Sequence, residues 1–150
     1  MFAAPHPLRV LLVDDDAAFA EMIACLLGVA GIEVAGHGRD GLEGVELALE
    51  LEPDVVVMDV RMPRLDGLEA TRRIVRAVPG LPILVVSSST DPDDVDRALE
   101  AGADAYLSKD RVVAELADRL ESLRPPAARR PRRERPVSRL WGWRALEISA

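Results

Sequence analysis

The sequence contains one cysteine, few aromatic residues and no long apolar run. Cys25 has no second cysteine to pair with, so no disulfide can form within the chain and nothing suggests an oxidising compartment. Aromatic residues make up 3% of the 150 residues, so a core must be built from Val, Leu, Ile and Ala. No apolar stretch approaches the roughly 20 residues that cross a bilayer, and the N-terminus lacks the pattern of a signal peptide. We therefore expect a soluble cytoplasmic protein without a membrane span, in which Cys25 is a small residue of the core.

Charge is distributed unevenly along the chain. Residues 1–123 contain 11 Lys and Arg against 24 Asp and Glu, a net charge of −13, whereas residues 124–150 contain eight Arg against two Glu, a net charge of +6. The second segment begins rich in Pro as well as Arg, and this composition favours a mobile tail over a packed domain. We therefore predict a folded domain over residues 1–124 and a basic tail over residues 125–150.

Short apolar runs alternate with longer amphipathic segments from Leu8 onward. The runs are LRVLLV (8–13), IEVAG (32–36), DVVVMD (54–59), PILVVS (82–87) and AYLS (105–108). Continuous apolar runs are typical of parallel strands that are buried on both faces. Five such strands alternating with five helical segments predict a parallel sheet covered by helices on both sides.

Apolar spacing in each helical segment predicts its buried face. In the second helix this face contains Leu42, Val45 and Leu49, with Leu51 as a further candidate. In the fifth helix it consists of residues at three-four-three spacing: Val113, Leu116, Leu120 and Leu123. Four of the helices are preceded by aspartates that are placed as N-caps: Asp16, Asp40, Asp66 and Asp91.

Polar side chains collect at the carboxyl ends of the predicted strands, which is where open parallel sheets bind their ligands. Carboxylates follow the first and third strands, hydroxyls the fourth and an amine the fifth: Asp14, Asp15 and Asp16; Asp59; Ser87 and Ser88; Lys109. If the strands lie in the order 2-1-3-4-5, the ends that carry these groups converge on one cleft.

Asp14, Asp15 and Asp59 would repel one another strongly in a half-buried cleft. A divalent cation relieves this repulsion, and an all-oxygen set of ligands favours Mg²⁺ or Mn²⁺. An aspartate can also be the nucleophile of a phosphoryl transfer, with the metal, Lys109 and a serine hydroxyl neutralising the transferred charge. Asp59 is therefore a candidate phosphoryl acceptor.

Four motifs occur in order and at suitable separations: VLLVDDD, VVVMDVRMPRLDG, PILVVSSS and AGADAYLSKD. Together they resemble the receiver domain of bacterial two-component response regulators, and the resemblance covers about residues 7–124. It implies a flavodoxin-like, doubly wound sheet of five parallel strands in the order 2-1-3-4-5, with five helices. It also implies a phosphorelay module that takes a phosphoryl group from a histidine kinase or a phosphotransfer protein.

The resemblance assigns the metal site residue by residue. Asp59 would be the phosphorylated aspartate and a metal ligand. Asp15 would bind the metal directly, while Asp14 would act through a metal-bound water. The backbone carbonyl of Arg61 would be a further ligand from the loop after the third strand.

The resemblance also assigns a switch. Lys109 would pair with the phosphoryl group, Ser87 would move to hydrogen-bond it, and Tyr106 would turn inward into the space that Ser87 leaves. The surface of the fourth helix, fifth strand and fifth helix would then change shape and regulate an unidentified downstream protein, with a homodimer through this surface as one outcome. No enzymatic activity is implied beyond self-phosphorylation and autodephosphorylation.

Two alternatives remain open from the residues alone. A metal-dependent phosphatase with an aspartyl nucleophile would use similar groups, but such enzymes usually have a DxD pattern where Arg61 stands two residues after Asp59. A regulator that binds nucleic acid through the basic tail has only charge in its favour. The wording AGADAYLSKD resembles the subfamily that usually carries a C-terminal helix-turn-helix. No such domain follows in these 150 residues, so DNA binding is not carried over.

Overall fold

The computed structural model describes residues 6–126, which form a parallel sheet with helices on both faces. The strands are β1 (Arg9–Val13), β2 (Glu33–Gly38), β3 (Val55–Asp59), β4 (Ile83–Ser87) and β5 (Ala105–Ser108). The helices are α1 (Ala17–Val29), α2 (Gly41–Leu51), α3 (Gly67–Ala77), α4 (Pro92–Ala101) and α5 (Val112–Ser122). The order β2-β1-β3-β4-β5 confirms the predicted flavodoxin-like topology. Residues 1–5 and 127–150 lie outside the described part, and with them most of the predicted tail.

Apolar cores cover both faces of the sheet. On one face α1 and α5 supply the main buried side chains: Ile23, Ala24, Leu27, Leu116 and Leu120. On the other face α2, α3 and α4 supply them: Leu47, Leu51, Ala70, Ile74 and Ala98. Because helices cover both sides, β1 and β3 are buried along their whole length, which explains their continuous apolar sequences. No helix within residues 6–126 has the length and apolar character needed to cross a bilayer.

The four predicted N-caps are confirmed. The side chains of Asp16, Asp40, Asp66 and Asp91 each accept a backbone N–H from the first turn of α1, α2, α3 and α4. Caps of this kind typically stabilise a helix by about 1 kcal/mol. They begin each helix soon after the preceding strand or loop ends, which keeps the polar residues at the strand ends close to the sheet.

The predicted buried face of α2 was wrong in part: Leu51 is buried and Val45 packs against the core, but the other two predicted residues face solvent. Leu42 and Leu49 are exposed, and the face that packs on the sheet carries glycines and other residues: Gly41, Gly44, Leu47, Ala48 and Leu51. A Cβ at Gly44 would lie 2.8 Å from the Val13 side chain, so only a small residue lets α2 approach β1 this closely. Apolar spacing alone missed Gly41 and Gly44 because glycine carries no apolar signal.

Two further burial predictions were also wrong. Cys25 is exposed on α1, since the neighbouring positions Ala24 and Leu27 are the ones that face the sheet. In α5 the buried residue of the first turn is Val112, and Val113 is 69% exposed. The helix begins at Val112, directly after a single 3-10 turn at Lys109–Arg111, and this turn sets which valine points inward.

Candidate metal centre

Three carboxylates meet where β1 and β3 end. Val13 pairs with Met58 in the parallel register, so the residues that follow, Asp14 and Asp59, emerge side by side at the same edge of the sheet. Asp14, Asp15 and Asp59 each have an oxygen that lies within 4.8 Å of the others'. Asp14 and Asp59 are buried, at 6% and 7% exposure, whereas Asp15 faces solvent.

Lys109 brings a positive charge to this cluster from the end of β5. Its Nζ lies 3.4 Å from Oδ1 of Asp59 and 3.7 Å from Oδ2 of Asp14. The same ammonium lies 4.5 Å from the centre of the Phe19 ring on α1, a distance suited to a cation–π contact. Lys109 is therefore held between two carboxylates and an aromatic ring, and the predicted set of Asp14, Asp15, Asp59 and Lys109 comes together.

The cluster holds more negative charge than its single lysine neutralises. Burial, followed by the charge of Asp14, raises the pKa of Asp59 to about 6, although Lys109 and the Val60 N–H oppose the shift. Burial also raises the pKa of Asp14 against the opposing effects of the Asp16 N–H and Lys109. The two buried carboxyls are therefore poised to gain from any further positive charge.

The donor atoms suit a hard divalent cation. Three carboxylates from adjacent positions offer only oxygen, the ligand type that Mg²⁺ and Mn²⁺ prefer, and one of them lies open to solvent. Arg61 lies in the loop between β3 and α3, and its side chain is exposed. The group of Arg61 that was predicted to bind the metal is its backbone carbonyl. The acidic cluster is thus compatible with magnesium.

The loop that carries Arg61 is closed tightly at its base. The N–H of Gly67 donates to the carbonyl of Val60 at 2.7 Å, and the N–H of Val60 donates to Oδ1 of Asp59 at 2.9 Å. A Cβ at position 67 would collide with the carbonyl of Asp59, so the closure requires glycine. The orientation of the Asp59 carboxylate is therefore set in part by its own following loop.

Ser87 lies at the end of β4, on the strand that neighbours β3. Residue Asp59 pairs with Val86 in the register, so Ser87 is placed one position beyond. Ser87 lines a cavity of about 190 Å³ together with Val60, Arg61 and Ser89. Its Oγ accepts the N–H of Ser89 at 3.2 Å, which ties it to the loop between β4 and α4.

Tyr106 reaches the same loop from β5. Its hydroxyl donates to the carbonyl of Ser89 at 2.7 Å, and the ring is partly buried. The Ser89 hydroxyl donates in turn to Asp94 of α4 at 2.5 Å. Ser87, Tyr106 and α4 are thus linked through one residue, Ser89.

Two supporting residues escaped the sequence analysis as parts of this site. Phe19 is the ring beside Lys109, and His37 is buried in β2 with its Nε2 at 2.8 Å from the carbonyl of Asp14. Burial lowers the pKa of His37, against the opposing effect of that carbonyl. No local pattern identifies either contact, because each joins residues far apart in the sequence or on different elements.

Comparison with known proteins decides the family. The family model described as "Response regulator receiver domain" matches residues 10–121. The chain belongs to this family. Receiver domains are the phosphorylation-controlled modules of two-component signalling, and the cluster around Asp59 fits that function.

Relatives of known name are response regulators. The receiver domain is 44% identical over 116 residues to the transcriptional regulatory protein LiaR of Bacillus subtilis, covering 77% of this chain and 55% of LiaR. It is 41% identical over 118 residues to the transcriptional regulatory protein PdtaR of Mycobacterium tuberculosis, covering 79% of this chain and 57% of PdtaR. The chain therefore spans about half the length of the curated relatives it matches.

Solved structures agree with the fold. The response regulator domain of Thermotoga maritima CheB superposes with a TM-score of 0.70 at 35% identity, covering 78% of this chain and 96% of that domain. A two-component response regulator of the LuxR family from Aurantimonas superposes with a TM-score of 0.75 at 33% identity, covering 78% and 84%.

Proposed function

We propose that this receiver domain is switched by phosphorylation of Asp59, with a histidine kinase or a phosphotransfer protein as the donor. The observation that carries the proposal is the meeting of Asp14, Asp15 and Asp59 within 4.8 Å beside the ammonium of Lys109. A carboxylate in this setting has a metal site on one side and a fixed cation on the other. That arrangement suits the capture of a phosphoryl group.

The transfer itself is a displacement at phosphorus. A carboxylate oxygen of Asp59 forms the new O–P bond while the P–N bond to the donor imidazole breaks, and the electron pair stays on the imidazole nitrogen. Lys109 lies where its ammonium can meet the phosphoryl oxygens. The signal ends when water attacks the same phosphorus and releases phosphate. This step restores the Asp59 carboxylate, and it involves no separate substrate.

The proposed cation is Mg²⁺, with Mn²⁺ as a substitute. Asp15 and Asp59 would hold it directly, Asp14 through a water, and Arg61 through its backbone carbonyl. When bound, the cation supplies positive charge to the transferred phosphoryl group. Burial is the main cause of the raised pKa of Asp59 and Asp14. It makes both carboxylates costly to ionise without a nearby cation, and this supports the assignment.

The proposed output is the surface formed by α4, β5 and α5. The phosphoryl group adds close to two negative charges, and Ser87 would leave its bond with Ser89 to reach it. Ser89 is also hydrogen-bonded to Tyr106 and to Asp94 of α4. These contacts support a coupled movement of Ser87, Tyr106 and α4. Leu99 and Val113 are exposed, at 47% and 69%, and would contact a downstream protein or a second copy of the chain.

We propose a receiver domain over residues 1–124, a separate basic tail over residues 125–150 and a cytoplasmic location. The phosphatase alternative is disfavoured by Arg61, since an acidic residue is expected at that position in such enzymes. Binding of nucleic acid by the tail rests on its charge alone, and its residues from 127 onward lie outside the described part.

Treatment with acetyl phosphate and Mg²⁺ tests the proposal. We expect an adduct of about 80 Da, one HPO₃ unit, on the intact chain, located at Asp59 by reduction and peptide mapping. Asp59→Asn should abolish the adduct, whereas Asp118→Asn, an exposed change on α5, should leave it. An adduct that persists in Asp59→Asn, or sustained release of phosphate without an adduct, would contradict the switch.

A further inference from the structure

The loop between β3 and α3 is anchored at two places. Its base is closed by the bond from the Gly67 N–H to the Val60 carbonyl. Its outer half is held on the N-terminus of α2, a helix that contributes no residue to the carboxylate cluster. Arg61, whose carbonyl is the proposed metal ligand, lies between the two anchors.

The outer anchor is an ion pair between Arg64 and Asp40. Both Nε and Nη2 of Arg64 donate to Oδ2 of Asp40, at 3.0 and 2.5 Å. The other carboxylate oxygen of Asp40 accepts the N–H of Glu43 and caps α2. The Asp40 side chain is only 10% exposed, so this partner is fixed by its helix while the arginine reaches it from the loop.

A backbone contact accompanies the ion pair. The N–H of Gly41 donates to the carbonyl of Leu65 at 3.1 Å. A Cβ at position 41 would collide with that carbonyl, so glycine is needed for α2 to approach the loop. Two consecutive residues at the N-terminus of α2, Asp40 and Gly41, therefore contact two consecutive residues of the loop, at positions 64 and 65.

Arg64 adopts a backbone conformation that is unfavourable for its residue type. Its φ is 65°, in the left-handed region that favours glycine and asparagine. A glycine would adopt this turn more readily, but it would lack the guanidinium that reaches Asp40. The conformation of Arg64 is thus maintained by a contact that the loop alone does not provide.

We propose that the ion pair between Arg64 and Asp40 is a positioning device that holds the Arg61 carbonyl in place for the metal. Neither residue touches the cation or the phosphoryl group; both act through the loop. The inference rests on the proposed function, because it requires the metal site around Asp59. It extends that function because the N-terminus of α2 would then contribute to the affinity for the metal.

An exposed ion pair often contributes little, and Arg64 is 62% exposed at its side chain. This pair differs from an ordinary surface pair in having a buried, doubly hydrogen-bonded carboxylate and a forked donor. The chain offers a matched comparison on α3, where Arg72 pairs with Glu69 at 3.1 Å and both side chains are exposed. The Arg72 side chain, which the control removes, pairs with Glu69 on its own helix and not with a residue of the loop.

The test is Mg²⁺ affinity, measured by isothermal titration calorimetry on the full chain. Arg64→Asn keeps a residue suited to the left-handed turn and removes the guanidinium. Asp40→Asn keeps an N-cap for α2 and removes the charge. We expect each to raise the Kd for Mg²⁺ about threefold to tenfold, less than the roughly 10–100-fold that follows the loss of a direct partner of a metal ligand, because the ion pair acts through the loop. The double variant should bind Mg²⁺ no more weakly than either single variant. Arg72→Ala should leave the Kd unchanged.

A second readout separates positioning from general destabilisation. Amide hydrogen exchange should rise in Arg64→Asn at Gly41 and Gly67, whose N–H groups donate to the carbonyls of Leu65 and Val60, while exchange in β1 and β3 stays as in the wild type. The positioning role would be ruled out if each single variant bound Mg²⁺ with a Kd within twofold of the wild type, or if the two effects on the Kd added in the double variant. Either result would leave the proposed function intact. A wild-type chain that does not bind Mg²⁺ would overturn both this inference and the proposed function.

Discussion

The ammonium of Lys109 lies 3.4 Å from a carboxylate oxygen of Asp59, at the ends of two strands that are separated in the sheet by β4. It also reaches Asp14 at 3.7 Å. Lys109 therefore offsets repulsion between two buried carboxylates even before any phosphoryl group arrives.

Lys109→Met should destabilise the metal-free protein at neutral pH. The change keeps most of the aliphatic length but leaves Asp14 and Asp59 without their cation, and we expect the free energy of unfolding at pH 7 to fall by about 1–3 kcal/mol. The loss should shrink at pH 5, where Asp59, with a pKa of about 6, is largely protonated. Urea unfolding in EDTA at both pH values checks this, and Lys109→Arg is the control that retains the charge. Equal losses at both pH values would contradict the electrostatic explanation.

Asp59→Asn should have the opposite effect. The pKa of Asp59 is raised from 3.8 to about 6, so the folded state binds its proton more tightly than the unfolded chain does. Stability from this group is therefore present below about pH 4 and is lost as the pH rises through 6. At pH 7 in EDTA, removing the charge should raise the free energy of unfolding by about 3 kcal/mol, since one pKa unit corresponds to about 1.4 kcal/mol.

Urea unfolding of Asp59→Asn across pH 4 to 7.5 measures this gain. It should grow with pH and should be absent from Asp118→Asn, an exposed change on α5. Adding Mg²⁺ should stabilise the wild type more than Asp59→Asn, because the variant has lost a charged ligand. A variant that is less stable than the wild type at pH 7 in EDTA would show that the buried charge is already compensated.

The features that could be predicted from the sequence are those that depend on local sequence or on the order of the strands. Asp14, Asp59 and Lys109 were expected to converge because strand ends in a parallel sheet share one edge, whatever the details of packing. The N-caps followed equally directly, since each depends only on a residue and the turn that it begins. These features are local or are imposed by topology.

Features that depend on close approach could not be predicted in this way. The buried face of α2 is set by Gly41 and Gly44, which allow contacts with Leu65 and Val13 that a larger residue would block. A pattern of apolar residues contains no signal for such positions, and so Leu42 and Leu49 were wrongly placed inside.

Contacts between distant polar residues were hidden for a different reason. Arg9, at the opposite end of the sheet, is 8% exposed, donates to the carbonyls of Leu51 and Glu52, and pairs with Glu33. An arginine before an apolar run indicates a strand that starts at the surface, and nothing nearby in the sequence indicates its partners. The same holds for Arg64 and Asp40, which are 24 residues apart.

Mg²⁺ affinity should depend on pH in the direction set by the raised pKa values. A proton on Asp59 must leave before the carboxylate can bind the cation, and the pKa of Asp14 is raised as well. We expect the apparent Kd to be nearly constant above pH 7 and to rise below about pH 6, by up to about tenfold per pH unit. Calorimetry at pH 6 in two buffers of different ionisation enthalpy should reveal proton release on binding. An affinity that is constant from pH 5 to 7.5 would contradict the shifted carboxyls.

Tyr106→Phe should loosen the loop between β4 and α4. The hydroxyl of Tyr106 donates to the Ser89 carbonyl, and its loss leaves that loop tethered by the bonds from Ser89 to Ser87 and Asp94. We expect a fall of about 1 kcal/mol in the free energy of unfolding, the usual size for one hydrogen bond, and faster amide exchange at Ser89. Ser122→Ala removes an exposed hydroxyl bond on α5 and should change neither exchange at Ser89 nor stability by more than about 0.5 kcal/mol. If Ser89 exchanges at the wild-type rate in Tyr106→Phe, the tyrosine is only packed against the loop, and its proposed place in the switch loses its structural basis.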